Sequence, residues 1–273
     1  MSGEGTGTRA DARGIVVAID GPSGSGKSSV SRAVARRLGT AYLDTGAMYR
    51  AATWWCLEEG VDLADQAAVA AAVDVMPLVM GIDPAAPTVH VDGTDVGEAI
   101  RTTEISTAVS AVATNLAVRA ELRRLQRVII AAESSASSAS SVSSVSGVSP
   151  TEGGETSFSG GRGIVAEGRD ITTVVAPDAD VRILLTASEE ARLARRSLEV
   201  HGAADAAAVE ATKDQVLRRD RDDSTVSQFH VAADGVVTVD SSDLDFEQTV
   251  QAVLDVVDRV TATAAAGGEG TAR

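Results

Sequence analysis

An apolar run followed by a glycine-rich loop limits what this chain can fold into more than any other stretch. Residues 15–19, IVVAI, are apolar throughout, as is typical of a strand at the centre of a parallel sheet. The next residues, 21–28, read GPSGSGKS and fit the pattern G-x-x-x-x-G-K-[ST]. Apolar residues then recur at helical spacing before Gly39, a stop signal; they are Val30, Ala33, Val34 and Leu38. The order strand, loop, helix is the context in which this pattern binds phosphate.

The residue types of this loop suit a bound nucleoside triphosphate. Glycines at positions 21, 24 and 26 permit backbone torsions and a close approach that side chains would block. Backbone N–H groups and the positive end of the helix dipole then face the phosphate oxygens. Lys27 is expected to reach the β and γ phosphates, and the Ser28 hydroxyl to coordinate Mg²⁺. The alternative is a glycine-rich turn without a ligand, but the flanking strand and helix favour the phosphate site.

The acidic composition narrows the classes of partner. The chain has 273 residues, a net charge of −15 and a pI near 4.6, so no basic surface for nucleic acid is expected. A single cysteine, Cys56, rules out an internal disulfide and fits a reducing cytoplasm. No apolar run approaches the roughly 18 residues of a membrane-spanning helix. Residues 1–13 lack the apolar stretch of a signal peptide and are predicted to be a flexible tail.

Short apolar runs that alternate with helical patterns predict the fold class. After the first strand, such runs occur at 41–43, 164–166, 181–185 and 236–239. This alternation predicts an α/β fold with a parallel sheet covered on both faces. Between 75 and 96, closely spaced prolines and glycines predict a small antiparallel insert instead. Because ligands in such sheets bind beyond the carboxyl ends of the strands, three loops are expected to meet there: 20–28, 44–50 and 167–170.

Arginines stand out against the acidic background on a predicted helical region, in one piece or two, between Ile100 and Ala132. Arg119 lies closest to the apolar stripe of this region, where its side chain can point into a cleft. Arg123 and Arg124 are predicted to belong to a solvated face.

Residues 134–163 follow no periodic pattern. The segment is rich in serine and glycine and only weakly apolar, so burial cannot offset the entropy of ordering it. We expect a disordered surface insertion that loops away from the cleft.

Taken together, the motifs resemble those of the bacterial cytidylate (CMP/dCMP) kinases. The resemblance covers about residues 14–260 without the serine-rich insertion, and the combination is more specific than the phosphate loop alone. The segments that carry it are IDGPSGSGKSS at 19–29, YLDTGAMYR at 42–50, GEAIRTTEIS at 97–106, the helix from Ser110 to Arg127, EGRDITTVVAPDAD at 167–180 and RRDRDDST at 218–225.

The resemblance implies a three-layer α/β P-loop core with a parallel sheet, an acceptor-binding insert at about 62–132 and a helical lid at about 189–228. The kinase domain would span 14–262, and 263–273 would form a second flexible tail. The implied reaction transfers the γ-phosphate of ATP to CMP or dCMP with Mg²⁺ as cofactor. Small molecules are the only partners expected, and the protein is expected to be a cytoplasmic monomer that binds neither nucleic acid nor membrane.

The resemblance also implies roles for single residues. ATP would lie against Gly21, Pro22, Ser23, Gly24, Ser25, Gly26, Lys27, Ser28 and Ser29, with Ser28 as the metal ligand. CMP would be bound by Thr45, Arg50, Ser110, Arg119, Arg169, Asp170, Arg219 and Asp223. Arg50 and Arg169 would clamp its phosphate, and Asp170 would accept from the exocyclic amine of cytosine, where uracil has a carbonyl.

Catalysis in this family needs positioning and charge neutralisation rather than a strong base. Lys27, Arg195 and Arg219 are the catalytic residues that the resemblance suggests, with Arg192 and Arg196 as further candidates in the lid. Lid closure would exclude water, which otherwise competes as the phosphate acceptor.

One position departs from the family pattern. Many relatives have an arginine directly after the equivalent of residues 223–225, DST, but this chain has Val226. Either Arg221 supplies the missing charge or the phosphate clamp is weaker.

Two other functions stay open from the sequence. One is a kinase for a different acceptor, such as UMP, AMP or shikimate, because the phosphate loop fits all of them equally. The other is a nucleotide-dependent switch, although residues 212–215, TKDQ, miss the guanine-reading pattern N/T-K-x-D.

Overall fold

The computed structural model of the protein describes residues 13–135, 157–202 and 205–268. Strands and helices alternate along most of these residues. In chain order the elements are β1 (Ile15–Asp20), α1 (Lys27–Leu38), β2 (Ala41–Asp44), α2 (Thr45–Glu58), α3 (Gln66–Asp74), β3 (Leu78–Met80), β4 (Val89–Val91), β5 (Thr94–Asp95), α4 (Thr103–Ala113), α5 (Leu116–Ser134), β6 (Gly163–Gly168), β7 (Val181–Thr186), α6 (Glu189–His201), α7 (Ala206–Ser224), β8 (Val237–Asp240) and α8 (Phe246–Gly268).

Five of these strands form one parallel sheet, in the order β2-β6-β1-β7-β8. β1 lies at its centre, where Val17 is in register with Val165 of β6 and Val181 of β7. All residues from Val16 to Asp20 are buried, which explains why this strand is apolar without alternation. The predicted α/β fold with a parallel sheet is therefore confirmed.

Helices cover both faces of this sheet and give three layers. On one face, Met48 of α2 and Leu122 of α5 belong to the same buried core as Val16. On the other face, Val34 of α1 belongs to a second core with Val17, and α8 packs beside α1. Neighbouring residues of β1 thus supply opposite cores, as the two-residue period of a strand requires.

The predicted antiparallel insert is a separate three-stranded sheet in the order β3-β4-β5. The helical region predicted between 100 and 132 is divided into α4 and α5 at Asn115. The Asn115 side chain accepts hydrogen bonds from the backbone N–H groups of Ala117 and Val118 and so caps α5. α6 and α7 pack against each other within the segment predicted as a lid.

The prediction of a disordered segment from 134 to 163 is wrong at both ends. Ser134 is the buried last residue of α5, and Gly163 begins β6. Glu133, which is only 3% exposed, accepts hydrogen bonds from Ser157 Oγ and from the two backbone N–H groups that follow. These buried hydrogen bonds join the two ends and supply an order that serine-rich composition does not predict.

Two predicted tail boundaries also differ from the structure. α8 continues to Gly268, so a helix occupies the first part of the tail predicted for 263–273. At the other end of the chain, Arg13 forms a salt bridge of 2.8 Å with Asp180. The remaining tail and disorder predictions fall on 1–12, 136–156 and 269–273, outside the described residues. No helix within the described part of the chain is both long and apolar enough to cross a membrane.

Candidate active site

A cavity of about 1490 Å³ opens beyond the carboxyl ends of the central strands. It is lined by the loops after β1 and β6 and by the start of α2, which follows β2 directly. The three segments that the sequence predicts to meet therefore do so, but in 44–50 all residues after Asp44 form the first part of a helix and not a loop. Donor-side and acceptor-side candidates therefore face the same space. The predicted site residues in its lining are Ser23, Gly24, Ser25, Gly26, Lys27, Ser28, Ser29, Thr45, Arg50, Arg119, Arg169, Asp170, Arg195, Arg219 and Asp223.

Three predicted residues lie beside the cavity rather than in its lining: Gly21, Pro22 and Ser110. The Gly21 carbonyl accepts a hydrogen bond of 3.1 Å from Arg169 Nη1 and so helps to hold the guanidinium group of Arg169 in place. Ser110 is on α4 next to the lining residue Val109, and its carbonyl accepts from the Thr114 hydroxyl. Its contact with an acceptor base stays a prediction.

The glycine-rich loop has the backbone that its sequence predicts. Gly24 and Gly26 have φ of +75° and +85°, a region that side chains disfavour. A Cβ on Gly24 would lie 2.5 Å from the carbonyl oxygen of Arg192, so α6 approaches the loop too closely for any other residue. Gly26 is the N-cap of α1 and makes no side-chain cap, and the first residues of α1 line the cavity, so their N–H groups are suited to an anion there.

Lys27 is folded back over this loop. Its Nζ donates a hydrogen bond of 3.1 Å to the Pro22 carbonyl. Burial lowers the pKa of Lys27 to about 8, with Glu167 partly opposing the shift and Arg169 adding to it. The ammonium group is thus a poorly solvated cation, which a phosphate would neutralise.

A buried carboxyl pair lies beside the other end of the loop. Ser28 Oγ donates a hydrogen bond of 2.6 Å to Oε1 of Glu167, the side chain of which leaves the end of β6. Burial, and then repulsion from Asp44, raise the pKa of Glu167 to about 7. Burial disfavours the charged form of Asp44 as well, but Arg50 and the N–H of Ala47 outweigh it and hold the pKa of Asp44 below its ordinary value.

Ser28 and Glu167 together offer the oxygen ligands that Mg²⁺ prefers. The described residues contain no group of three or more histidine, cysteine, aspartate or glutamate side chains arranged to hold a metal ion. A magnesium ion here would therefore keep several waters and bind through one or two protein oxygens and the nucleotide phosphates. The donor set fits that mode of binding.

Asp170 is the centre of a buried cluster on the acceptor side. Arg119 Nη2 donates to Asp170 Oδ2 at 2.6 Å and also to Ser227 Oγ at 2.7 Å. Arg119 Nη1 donates to the carbonyl of Ala113 at 3.0 Å, and its guanidinium lies 5.7 Å from the centre of the Tyr49 ring. Arg119 thus points into the cleft, as its place beside the apolar stripe predicts.

The prediction for Arg123 is wrong. Its side chain is only 20% exposed, and Nε and Nη2 both donate to Asp170 Oδ2, at 2.9 and 2.6 Å. Arg123 follows Arg119 by four residues on α5, so the two side chains share one face of the helix. Arg124, one position on, forms the exposed ion pair with Glu121 that a solvated face predicts.

Asp20 fixes the backbone that carries the acceptor-side residues. It is the last residue of β1, is 1% exposed, and was not singled out by its sequence context. Its Oδ1 accepts from the N–H of Ile171 at 2.9 Å, and its Oδ2 accepts from the N–H and hydroxyl of Thr172 at 2.8 and 2.6 Å. Burial raises its pKa, and the Thr172 hydrogen bonds oppose that shift.

Two of the predicted phosphate-binding arginines are held by acids at the cavity wall. Arg50 Nη2 lies 3.2 Å from Asp44 Oδ2. Arg169 lies 2.5 Å from Asp223 Oδ2 and 3.3 Å from Asp220 Oδ1, and its guanidinium stacks 4.5 Å from the centre of the Phe229 ring. These contacts orient both guanidinium groups.

Of three arginines in the predicted lid, one lies outside the cavity lining and two belong to it. Arg192 is buried, donates to the Ser23 carbonyl and pairs with Asp220, outside the cavity lining. Arg195 lines the cavity, but its guanidinium donates to Ser241 Oγ at 2.9 Å and to the Ser241 carbonyl at 2.6 Å. Arg196 also lines the cavity.

Arg219 is a buried cation that the described residues neutralise only in part. Its buried Nε has no hydrogen-bond partner among the described residues and lies 3.8 Å from Asp223 Oδ2. Burial, followed by repulsion from Arg169 and Arg50, lowers its pKa to about 10. An anion in the cavity would relieve both effects.

The departure at Val226 is not offset by Arg221. Arg221 is exposed and is not among the residues that line the cavity. Ser227, the next residue after Val226, lines it instead and binds Arg119. Of the two alternatives, the described residues therefore favour a clamp with one arginine fewer.

Several residues of the site escape sequence reasoning. Glu167 belongs to the EGRD motif, and Asp44 begins the DTG motif, but neither motif alone shows that the two carboxyl groups meet. Arg101, which lines the cavity from the short turn before α4, gives no periodic signal. Only Arg123 had a usable signal, which is its four-residue spacing from Arg119.

Comparisons of the sequence with a family model and with curated proteins agree on one family. The sequence model described as cytidylate kinase matches residues 17–137 and 129–259. A cytidylate kinase of Streptomyces avermitilis is 45% identical over 245 residues, covering 89% of this chain and 93% of the relative. One of Rhodococcus opacus is 47% identical over 247 residues, covering 89% and 94%. A solved structure, TT1252 from Thermus thermophilus, covers 89% of this chain at 19% identity with a TM-score of 0.38.

Proposed function

The chain belongs to the cytidylate kinase family, and we propose how its cavity transfers the γ-phosphate of ATP to CMP or dCMP, giving CDP or dCDP. The observation that carries this assignment of roles is that the phosphate loop and the Asp170 cluster line one cavity. A donor and an acceptor bound at these two places would face each other, as direct transfer requires.

On the donor side, the backbone of residues 23–29 would bind the phosphates of ATP. Lys27 exchanges its contact with the Pro22 carbonyl for the β and γ phosphates, which neutralise its poorly solvated charge. Because Lys27 then contacts the group that is transferred, it stabilises the charge that spreads over this group in the transition state.

Ser28 and Glu167 would hold Mg²⁺ on the donor side. The hydroxyl of Ser28 is the direct ligand, and Glu167 orients it through the hydrogen bond of 2.6 Å. The ion, when bound, neutralises phosphate charge and aligns the β and γ phosphates. The protein's own part is to aim Ser28 at the phosphates through Glu167, whose ionised form prevails only above a pH of about 7.

On the acceptor side, Arg50 and Arg169 would bind the phosphate of CMP with their oriented guanidinium groups. Arg219 lies near both and adds a charge that is only partly neutralised, so it would contact the transferring group together with Arg195. Asp223 would meet the ribose, and Thr45 positions Glu167 because its hydroxyl donates to the Glu167 carbonyl at 2.8 Å.

Asp170 would select the base. Its three arginine hydrogen bonds all use Oδ2, and Oδ1 accepts no hydrogen bond from the described residues. Oδ1 is then the acceptor for the exocyclic amine of cytosine, with Ser110 as a further contact to the base. Uracil presents a carbonyl oxygen there, which a carboxylate repels. A buried acceptor left without a donor discriminates by roughly 1–3 kcal/mol.

Small molecules suffice as partners in this proposal, and a single chain working in the cytoplasm supplies every residue named. The segment of α6 and α7 would act as the lid that closes over the phosphates and excludes water.

The experiment is an ADP-release assay with CMP, dCMP, UMP, AMP and shikimate as acceptors. We expect the highest kcat/KM with CMP or dCMP, and in the Asp170→Asn variant a loss of about tenfold or more in the preference for CMP over UMP. The matched control is Asp178→Asn, because Asp178 is exposed and does not line the cavity.

Two outcomes would contradict the proposal. Equal kcat/KM values for CMP and AMP would remove the base-selecting role of the Asp170 cluster. ATP turnover that does not depend on any acceptor would instead favour a nucleotide-dependent switch.

A further inference from the structure

We infer that Arg123 is a positioning residue for base selection, acting on the acceptor base through Asp170. The inference rests on the proposed function, because it gives Asp170 the base-reading role. Its own basis is that Arg123 binds the Asp170 carboxylate from outside the set of residues that line the cavity.

Arg123 holds one oxygen of Asp170 at two points. Its Nε and Nη2 lie 2.9 and 2.6 Å from Oδ2, and Arg119 Nη2 lies 2.6 Å from the same atom. Three charged N–H donors on one oxygen fix the rotation of the carboxylate about its last torsion angle. They also leave Oδ1 as the oxygen that is turned away from both guanidinium groups.

The two arginines differ in what else they contact. Arg119 lines the cavity and also binds Ser227 and the Ala113 carbonyl, so a change there disturbs the lid side and α4 as well. Arg123 does not line the cavity, and its described hydrogen bonds go only to Asp170. Through its described hydrogen bonds, a change at Arg123 therefore reaches the acceptor by way of Asp170.

The expected consequence concerns the base rather than the phosphate. Without Arg123, the Asp170 carboxylate is held at a single point and can turn Oδ2 or Oδ1 toward the cavity. Binding of cytosine must then select one of several orientations of the Asp170 carboxylate, which weakens the hydrogen bond from the exocyclic amine. The KM for CMP rises, whereas binding of ATP and of the acceptor phosphate is unaffected.

The test compares Arg123→Met with Arg124→Met. Both variants remove an arginine from the same turn of α5, but Arg124 is exposed and is paired with Glu121 instead of Asp170. We expect Arg123→Met to raise the KM for CMP about tenfold with kcat at saturating CMP within twofold, and to lower the ratio of kcat/KM for CMP to that for UMP about tenfold. Arg124→Met should leave both quantities as in the wild type.

Conservative variants separate positioning from a general effect on the fold. Arg123→Lys keeps a charge that can reach Oδ2 at one point only, so the selectivity ratio should lie between those of the wild type and Arg123→Met. Arg123→Gln keeps a polar side chain without charge, and it takes the place of the methionine variant if that variant does not fold. Thermal melting of each variant shows which ones to compare.

The inference is overturned if the folded Arg123 variants keep the wild-type ratio of CMP to UMP, or if Arg124→Met lowers it equally. These outcomes are distinct from a failure of the proposed function. If the wild type itself does not prefer CMP, or if Asp170→Asn does not change the preference, the base site is elsewhere. If Asp170→Asn lowers the preference and the Arg123 variants do not, only the role of Arg123 is wrong.

Discussion

Asp20 Oδ2 and Thr172 Oγ1 lie 2.6 Å apart, and this hydrogen bond links the strand that leads into the phosphate-binding loop to the segment after Asp170. Asp20 also accepts from the N–H groups of Ile171 and Thr172. The segment after β6 leaves the sheet at Gly168, so these bonds replace the sheet as its support. The donor side and the acceptor side of the cavity are thereby held at a fixed separation.

We expect Asp20→Asn to raise the KM for CMP and to destabilise the protein by about 2 kcal/mol, because an amide cannot accept at both positions and brings an N–H₂ group against a donor. The measurements are steady-state kinetics and denaturant unfolding.

The control is Asp180→Asn. Asp180 accepts from the N–H of Val16 at the opposite end of β1, far along the strand from the cavity. We expect it to lower stability without raising the KM for CMP. An equal rise in KM for both variants would mean that strand stability alone, not the link to Thr172, sets acceptor binding.

Replacing Lys27 with alanine should reduce kcat by about a hundredfold or more, because a charge aimed at the transferring phosphoryl group is lost from a preorganised site. The fold should persist, because the burial of a poorly solvated cation is relieved and Glu167, which loses one nearby positive charge, keeps the hydrogen bond from Ser28. The other lysine of the chain is Lys213, on α7, and Lys213→Ala is the matched control with unchanged kcat. Near-normal turnover by Lys27→Ala would refute the role of the loop lysine.

The pKa values of Glu167 and Lys27 predict a bell-shaped pH profile. The ionised form of Glu167, with a pKa of about 7, would orient Ser28, and the charged form of Lys27, with a pKa of about 8, would bind phosphate. We expect kcat/KM for ATP to rise as the pH passes about 7 and to fall as it passes about 8. In Glu167→Gln the acid limb should disappear and the alkaline limb should move to lower pH, because Glu167 raises the pKa of Lys27. If neither limb of the pH profile moves in Glu167→Gln, the limbs belong to groups other than Glu167 and Lys27.

Glu167 also predicts how stability changes with pH. Its pKa is about 7 in the folded protein and 4.5 in the unfolded chain, so between these values the folded state binds more protons. The contribution of Glu167 to the free energy of unfolding is therefore fully present below about pH 4.5 and is lost as the pH rises through 7. Glutamine stays neutral, so the stability of Glu167→Gln relative to the wild type should increase from pH 4.5 to 7 in denaturant unfolding. If the difference in the free energy of unfolding between the two proteins does not change with pH, Glu167 does not have a raised pKa in the folded protein.

Deleting residues 137–155 and closing the gap with a short Gly-Ser linker should leave kcat and both KM values within a few-fold. Glu133 on α5 already binds Ser157 and Phe158, which follow this segment, so a short linker can close the gap. Deleting all of 134–163 removes the buried Ser134 and the first residue of β6, so that variant should be much less stable. A large rise in the KM for CMP in the shorter deletion would contradict a position away from the cleft.

The parts predicted well from sequence are those fixed by local pattern. The apolar run of β1, the glycines of the loop and the helical spacing of α1 each depend on neighbours in sequence, and all three have the expected structure. The rule that ligands bind beyond the carboxyl ends of parallel strands predicts that segments 20–28, 44–50 and 167–170 meet, and they line one cavity. The resemblance to a family supplied the identity of Asp170 and Arg119, which lie together at 2.6 Å.

The parts that could not be predicted depend on contacts between distant residues. The pairing of Asp44 with Glu167 and the support of Thr172 by Asp20 join positions more than a hundred residues apart. The sequence predicts a solvated face for Arg123 because it does not show that the Asp170 carboxylate lies against that face of α5. Composition predicts disorder for Ser134 and Gly163 because it carries no information on the hydrogen bonds of Glu133.

The position of β1 between β6 and β7 has a consequence for synthesis of the chain. The phosphate-binding loop leaves the ribosome early, but the two strands that flank its own strand are made much later. Pairings of such long separation form slowly and expose an unpaired edge until they do. A translation product that stops before residue 163 therefore carries the complete loop motif but neither of the strands that flank β1.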